Sequence, residues 1–396
     1  MIAIKKVAAS ALCACAGVIF YAPSAWALLP IQHWTEPNGA KVWLVESPVI
    51  PMVDVQVDFD GGSRRDPAEK SGLASAVALM ASKGVKGGKE GQGAEPALDE
   101  NALGEAWADL GAGFEAGADN DALRYSLRSL TDAPLLDRAA RLAARQMAEP
   151  SWPADIWARD RARWSASLRE AATRPSTVAG EAFAAAVYGN HPYGQRTTPE
   201  TLARISVDDM QRFHAQTVAA CRARVSIVGA VNRAQAQELV AKLLGRLPAS
   251  SGNCAPLPAV PEVEPLKAPA EQAIPFASAQ AHVLIGQPGF PRRDPDFLAL
   301  LVGNHILGGG GFGFAPDGRG ARKAWPELQR VQLLCRWPAR WRLHHRPANP
   351  ARPGRPGGEG GARRGAAFCG RRPHRSRAAR RQRQPDRRLR TAHRQQ

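Results

Sequence analysis

The sequence predicts an α+β fold in which an antiparallel sheet packs against a layer of helices. Three observations carry this. Stretches 41–60 and 113–130 alternate apolar and polar residues with period two, as half-buried strand pairs do. Helical patterns then follow one another from 132 to 217. An apolar strand at Arg224–Val231 and a helix at 233–246 close the set, so strands, helices, strand and helix form one layered unit.

In chain order, 41–46 and 53–59 read as two antiparallel strands joined through Pro48 and Pro51. Gly61-Gly62 ends the second, and the Ala/Leu-rich run Glu69–Lys83 reads as a helix stopped by Gly84. The Gly/Lys-rich stretch 84–98 is a loop, 101–110 a helix, and 113–130 the second strand pair. Helices are expected at 132–147, 153–172, 176–187 and 207–217, with Thr198-Pro199-Glu200 starting a shorter one because Thr caps and Pro suits the first turn. Residues 249–272, rich in proline, are a linker. Beyond it a strand at 280–286 and a helix at 294–307 repeat the opening of the first unit, and the pattern stops at Gly313.

The 396 residues include 53 Lys+Arg and 36 Asp+Glu, and 44% are hydrophobic. That excludes a wholly disordered chain or a collagen-like fibre. The net charge of +17 points at first to an anionic partner, but it is unevenly placed. Residues 314–396 hold 23 Lys+Arg and 4 Asp+Glu, leaving 30 and 32 in residues 1–313. The basicity belongs to the last segment alone.

Lys5 and Lys6, an apolar run from Val7 to Phe20 and Ala25-Trp26-Ala27 have the layout of a secretory signal peptide cleaved after Ala27. Export to the periplasm is the expectation, with no membrane-spanning segment. In the mature body 28–313 only Cys221 and Cys254 remain. In an oxidising compartment they either pair or stand as two thiols, and sequence alone leaves both open.

The run Gly61-Gly-Ser-Arg64, followed by Gly72-Leu-Ala-Ser-Ala-Val-Ala-Leu-Met80, resembles the insulinase/pitrilysin family of inverzincin metallopeptidases, which includes the mitochondrial processing peptidases. In active members a Gly-Ser-Arg turn leads to a helix bearing H-x-x-E-H, where two His bind zinc and the Glu is the general base. In matching register this chain has Ser75, Ala78 and Leu79, which offer neither imidazole lone pairs nor a carboxylate. The nearest candidate for the family's later carboxylate ligand is Asp160, in Arg159-Asp-Arg-Ala-Arg163, and it is expected on a solvated helix face. Further similarities are Ala118-Asp-Asn-Asp121 before Leu123-Arg-Tyr125, and Tyr188-Gly-Asn-His-Pro-Tyr-Gly194, where His191 is expected to be structural.

The resemblance implies tandem insulinase-like α/β layer domains: one at 28–248, a linker at 249–272, and the start of a second at 273–313. It implies no resident metal, zinc being expected only in an active partner. The glycine run 308–313 lacks the Gly-Lys-Ser/Thr of a phosphate loop and follows a helix. By resemblance it faces an inner chamber, so Gly309, Gly310, Gly311 and Phe312, with Asp119 and Asn120, are expected to meet substrate peptide.

After Gly313 the sequence turns to Arg, Pro and Gly without period. Codons read from the second base of the Phe314 codon permit Ser-Arg-Leu-Met-Asp-Glu-Val-Arg-Glu-Lys-Arg-Gly-Leu-Ser-Tyr. That string resembles what the family has after its Gly-rich turn. Tryptophan has one codon, so Trp325 fixes the Gly of the shifted Arg-Gly-Leu. Residues 314–396 are therefore expected to be a basic disordered tail translated out of frame, since GC-rich DNA in the wrong frame yields these residue types.

Two classes of function follow. In one, the chain is a catalytically inactive companion that binds peptide and closes a chamber with a zinc-carrying insulinase-like subunit, with no nucleic acid involved. In the other it is the non-functional truncated product of a frameshifted gene, or its basic tail binds an anionic polymer.

Overall fold

The computed structural model describes residues 30–88, 95–248, 254–289, 291–305, 330–335 and 342–350, the last two stretches as backbone only. The expected signal peptide and Gly309–Phe312 lie outside the described residues.

The first unit runs β1 (Ile31–Thr35), β2 (Lys41–Glu46), β3 (Met52–Phe59), α1 (Leu73–Met80), β4 (Gly84–Val85), β5 (Leu98–Asp99) and α2 (Glu100–Asp109). It continues with β6 (Gly113–Ala118), β7 (Leu123–Leu130), α3 (Ala133–Ala148), α4 (Ala154–Ala171), α5 (Pro175–Tyr188), α6 (Pro199–Ala203), α7 (Val207–Thr217), β8 (Arg224–Gly229) and α8 (Arg233–Leu244). Most of the expected helices appear within a residue or two. Thr198, Ser206 and Asn232 close capping boxes at α6, α7 and α8, satisfying amide donors that a helix start leaves orphaned.

The six-stranded sheet has the order β1-β2-β8-β3-β7-β6. This corrects the expected pairing of β2 with β3: β8 lies between them, parallel to β2 and antiparallel to β3. Alternation specifies a strand and its buried face, but not its neighbour, and β8 arrives from more than 160 residues away. The connection at 47–51 bridges over the end of β8, with Ser47 N–H donating to Gly229 O and Ala230 N–H to Met52 O. There Gly229 has φ 153°, and a Cβ would stand 2.3 Å from Met52 O, so only glycine fits.

One face of the sheet is dry. Val42, Leu44, Val55, Val57, Phe59, Tyr125, Leu127, Val225 and Ile227 alternate inward and form a single core with α1, α3, α7 and α8. The other face carries cross-strand ion pairs, Arg128 to Asp54 at 2.6 Å and Arg124 to Asp58 at 2.8 Å. Strand β6 is an edge, paired only with β7 among the described residues.

The expected helix at 69–83 is shorter, because the backbone at Ser71 and Gly72 interrupts it and Asp66 accepts from the amides where the helix restarts. Residues 63–65 and 68–70 make short 3-10 turns, and Gly72 takes φ 106°, which starts α1. Beyond the linker come β9 (Gln280–His282), α9 (Phe297–Asn304), β10 (Arg330–Cys335) and β11 (Arg342–Pro350). The last two are antiparallel strands within a stretch expected to be irregular, and β11 also pairs with β9. Their pairing is a matter of backbone groups, to which sequence periodicity is blind.

Candidate functional site

The α1 helix holds the three motif positions. Ala78 is buried, Leu79 packs against the core and Ser75 is half-buried. A hydroxyl, a methyl and an isobutyl group cannot hold zinc, so the residues do not fit the metal that the resemblance would otherwise imply. Among the described residues no three His, Cys, Asp or Glu side chains group so as to hold a metal ion.

The start of α1 is organised by Asp66, whose carboxylate accepts from Gly72 N–H at 2.8 Å and Ala74 N–H at 2.9 Å. Burial pushes its pKa up to about 7, against the opposing pull of the Ala74, Gly72 and Leu73 amides.

Asp160 is not on a solvated face, contrary to expectation. It is 6% exposed, lies 2.7 Å from Arg159 Nε and 3.4 Å from Lys83 Nζ, and Lys83 also reaches Glu100 at 2.5 Å. Neighbouring arginines suggested solvent, but Lys83, just beyond α1, supplies a partner that its distance in sequence concealed. The Arg159 hydrogen bond, ahead of opposing burial, lowers the Asp160 pKa.

Asp119 and Asn120 form the turn between β6 and β7. Asp119 Oδ1 accepts from the amides of Asp121 and Ala122, both at 2.8 Å, and Asn120 Oδ1 accepts from Ser63 Oγ at 3.1 Å. Ser63 and Arg64 amides donate to the Asp119 and Asn120 carbonyls, each at 2.9 Å. The Gly-Ser-Arg turn and the hairpin turn are thus zipped together. Gly62 makes this possible, since a Cβ there would stand 2.4 Å from Asp121 N.

Beside this zipper sits a cluster that joins three of the motif runs, through Arg64, Asp121 and Tyr193, with Asp60 and Arg65, which no motif included. Arg64 pairs with Asp60 at 2.8 Å and Asp121 at 3.0 Å, Arg65 binds Asp60 through two nitrogens, and Tyr193 Oη donates to Asp121 at 2.7 Å. Burial raises the Asp60 pKa, but the hydrogen bonds from Arg65 and Arg64 outweigh it and the net shift is down. For Asp121 burial prevails over Tyr193 and Arg64, and the shift is up. The motif runs marked Arg64, Asp121 and Tyr193 one by one, and nothing in the sequence showed that they meet around Asp60.

His191 bonds backbone rather than a metal: Nδ1 accepts from Tyr193 N–H at 3.1 Å, and Nε2 lies 2.8 Å from Pro261 O. An accepting Nδ1 assigns the proton of the neutral ring to Nε2, which donates to the carbonyl. The linker is also held by Arg65 to Pro258 O at 2.9 Å, Arg222 to Ala255 O at 2.7 Å, and a disulfide between Cys221 and Cys254. Val263 is buried against Val187, Tyr188 and Tyr193. A separate 610 Å³ depression, lined in part by Ala68, Glu181, Gln195 and Arg196, includes none of the motif positions.

Fold and site define a class of scaffold: a mixed α/β layer structure of the kind seen in M16-type domains, with a sheet packed on helices and a motif helix that lacks metal-binding side chains. A family model described as Peptidase M16 inactive domain matches residues 204–321. The chain is similar to the crystal structure of a peptidase M16 inactive domain from Pseudomonas fluorescens, with 28% identity, a TM-score of 0.81, and coverage of 89% of this chain and 83% of that one. It shares its fold with a protease from Helicobacter pylori (19% identity, TM-score 0.68, 82% and 76% covered). It also shares it with pitrilysin (17% identity, TM-score 0.57), covering 81% of this chain and 34% of that one. No curated protein matches the sequence.

Proposed function

We propose that this chain is a non-catalytic subunit that pairs with a zinc-carrying insulinase-like partner, binds peptide and closes the chamber around it. The observation that carries this is a preserved scaffold without its chemistry. The α1 helix is in place, capped by Asp66 and packed in the core, while Ser75, Ala78 and Leu79 have lost every metal-binding atom. Peptide would add as a strand to the open edge of β6, where the Asp119–Asn120 turn ends the hairpin. Gly309, Gly310, Gly311 and Phe312 would face the same peptide. The protein would act in the periplasm after cleavage behind Ala27, with no cofactor of its own. Co-expression with an H-x-x-E-H subunit should yield a co-purifying complex that cleaves peptide faster than that subunit alone. A monomer without effect on its partner would sink the reading.

One observation favours a second reading, a frameshifted gene. In the first unit α1 is apolar and covered by β6, β7 and α7. Its counterpart α9, also apolar, buries no residue, and Leu298 and Val302 are 70% and 58% exposed. The covering elements would be those encoded in the shifted frame, beginning Ser-Arg-Leu-Met. Resequencing the DNA across codons 305–330 decides it: a miscounted base restores the second domain, and an unchanged base makes the gene a decayed copy.

A further inference from the structure

The linker does not lie on the first unit at random. From Cys254 to Val263 its exposure follows a period of three: Cys254, Leu257 and Val260 are half-buried and Val263 is buried, while Ala255, Pro256, Pro258, Ala259, Pro261 and Glu262 are exposed. The carbonyls captured by the first unit follow the same period, those of Ala255, Pro258 and Pro261, taken by Arg222, Arg65 and His191. The segment has no helical, strand or turn structure and contains three prolines. Three residues per turn without internal hydrogen bonds is the signature of polyproline II, whose solvated carbonyls are free to accept from outside.

The receiving surface is pre-organised. Asp60 holds the Arg65 guanidinium, the Tyr193 amide orients the His191 ring, and Tyr188 and Tyr193 stand edge to face 5.7 Å apart beside Val263. Aromatic side chains with fixed donors are what polyproline-binding grooves offer.

We propose that the surface carrying Arg222, Arg65, His191, Tyr188 and Tyr193 is a binding site for a polyproline-II strand, filled by the chain's own linker and available to a proline-containing extended peptide once the linker is released. The site is distinct from the β6 edge and independent of the companion-subunit reading. The Cys221–Cys254 disulfide pins one end of the occupant, and a tethered occupant competes at an effective concentration on the order of millimolar. A free peptide therefore meets a closed groove in the intact chain.

The probe is a fluorescein-labelled decapeptide, Ser-Ala-Pro-Leu-Pro-Ala-Val-Pro-Glu-Val, which copies 254–263 with Ser for Cys. The protein is the full chain, wild type or carrying Cys254→Ser, Leu257→Ala, Val260→Ala and Val263→Ala to empty the groove. The variant should bind the probe at least tenfold more tightly than wild type, and adding Arg65→Ala and His191→Ala should abolish the gain. A probe with alanine at its Leu and both Val positions should not compete. A folded variant that binds no better than wild type overturns the proposal, as does equal binding by the alanine probe. Should the variant fail to fold, limited proteolysis of the His191→Ala chain answers the same question. Cleavage within 255–263 should be at least tenfold faster than in wild type, and an unchanged rate overturns the site.

Discussion

His191 donates from Nε2 to the carbonyl of Pro261 at 2.8 Å, so one imidazole ties the turn after α5 to the linker 70 residues on. Burial lowers its pKa, and nearby Arg64 adds to that, against the Pro261 bond and Glu262. His214, whose Nε2 lies 2.8 Å from Met147 O, is lowered by burial too. A histidine lowered in the folded state binds its proton more readily unfolded, so its contribution to stability falls as pH drops below 6.5. Urea unfolding between pH 5 and 7.5 should show His191→Asn losing part of that dependence, up to about 1.4 kcal/mol per pH unit. An unchanged slope would contradict the assignment.

Asp66 acts in the opposite direction. Its folded pKa, about 7 against an ordinary 3.8, leaves the native state holding a proton that the unfolded chain has released, so its contribution falls as pH rises from 4 to 7. Asp66→Asn should flatten this limb. Asp66→Ala should cost about 1–3 kcal/mol at any pH by stranding the Gly72 and Ala74 amides. Parallel pH profiles for wild type and Asp66→Asn would refute the claim.

The motif helix predicts indifference to metal. With Ser75, Ala78 and Leu79 in place of ligands, neither EDTA nor equimolar zinc should shift thermal unfolding of the purified chain. A zinc-dependent rise in Tm, reversed by EDTA, would show a site elsewhere.

The zipper between the two turns depends on Gly62. Gly62→Ala should destabilise by about 1–3 kcal/mol, because its Cβ would press on the Asp121 and Ala122 amides, which are backbone. Gly104→Ala, at a helical site with nothing within 4 Å, should be neutral or stabilising by chemical denaturation.

Reducing the disulfide should release the linker first. The bond joins residues 33 apart, for which loop-closure entropy gives about 3–4 kcal/mol. Dithiothreitol should accelerate proteolysis at 254–263 before it affects the first unit, as mass spectrometry of early fragments would show.

Sequence by itself determined the elements and the missing chemistry. Period-two and period-3.6 patterns place β2, β3, β6, β7, β8 and nearly every helix, because alternation and amphipathicity are local records of which side faces the core. The loss at Ser75, Ala78 and Leu79 is equally local, since it concerns the identity of side chains at one spacing. Tertiary structure alone decided that β8 separates β2 from β3, that Asp160 meets Lys83, and that Arg65 and His191 reach the linker. Each joins groups far apart in the chain, and partner choice between distant segments depends on shape and unpaired donors that no local period encodes. Pairing of Cys221 with Cys254 belongs to the same category, because it requires the two Cα atoms to approach within disulfide range, and only the fold brings them to 5.8 Å.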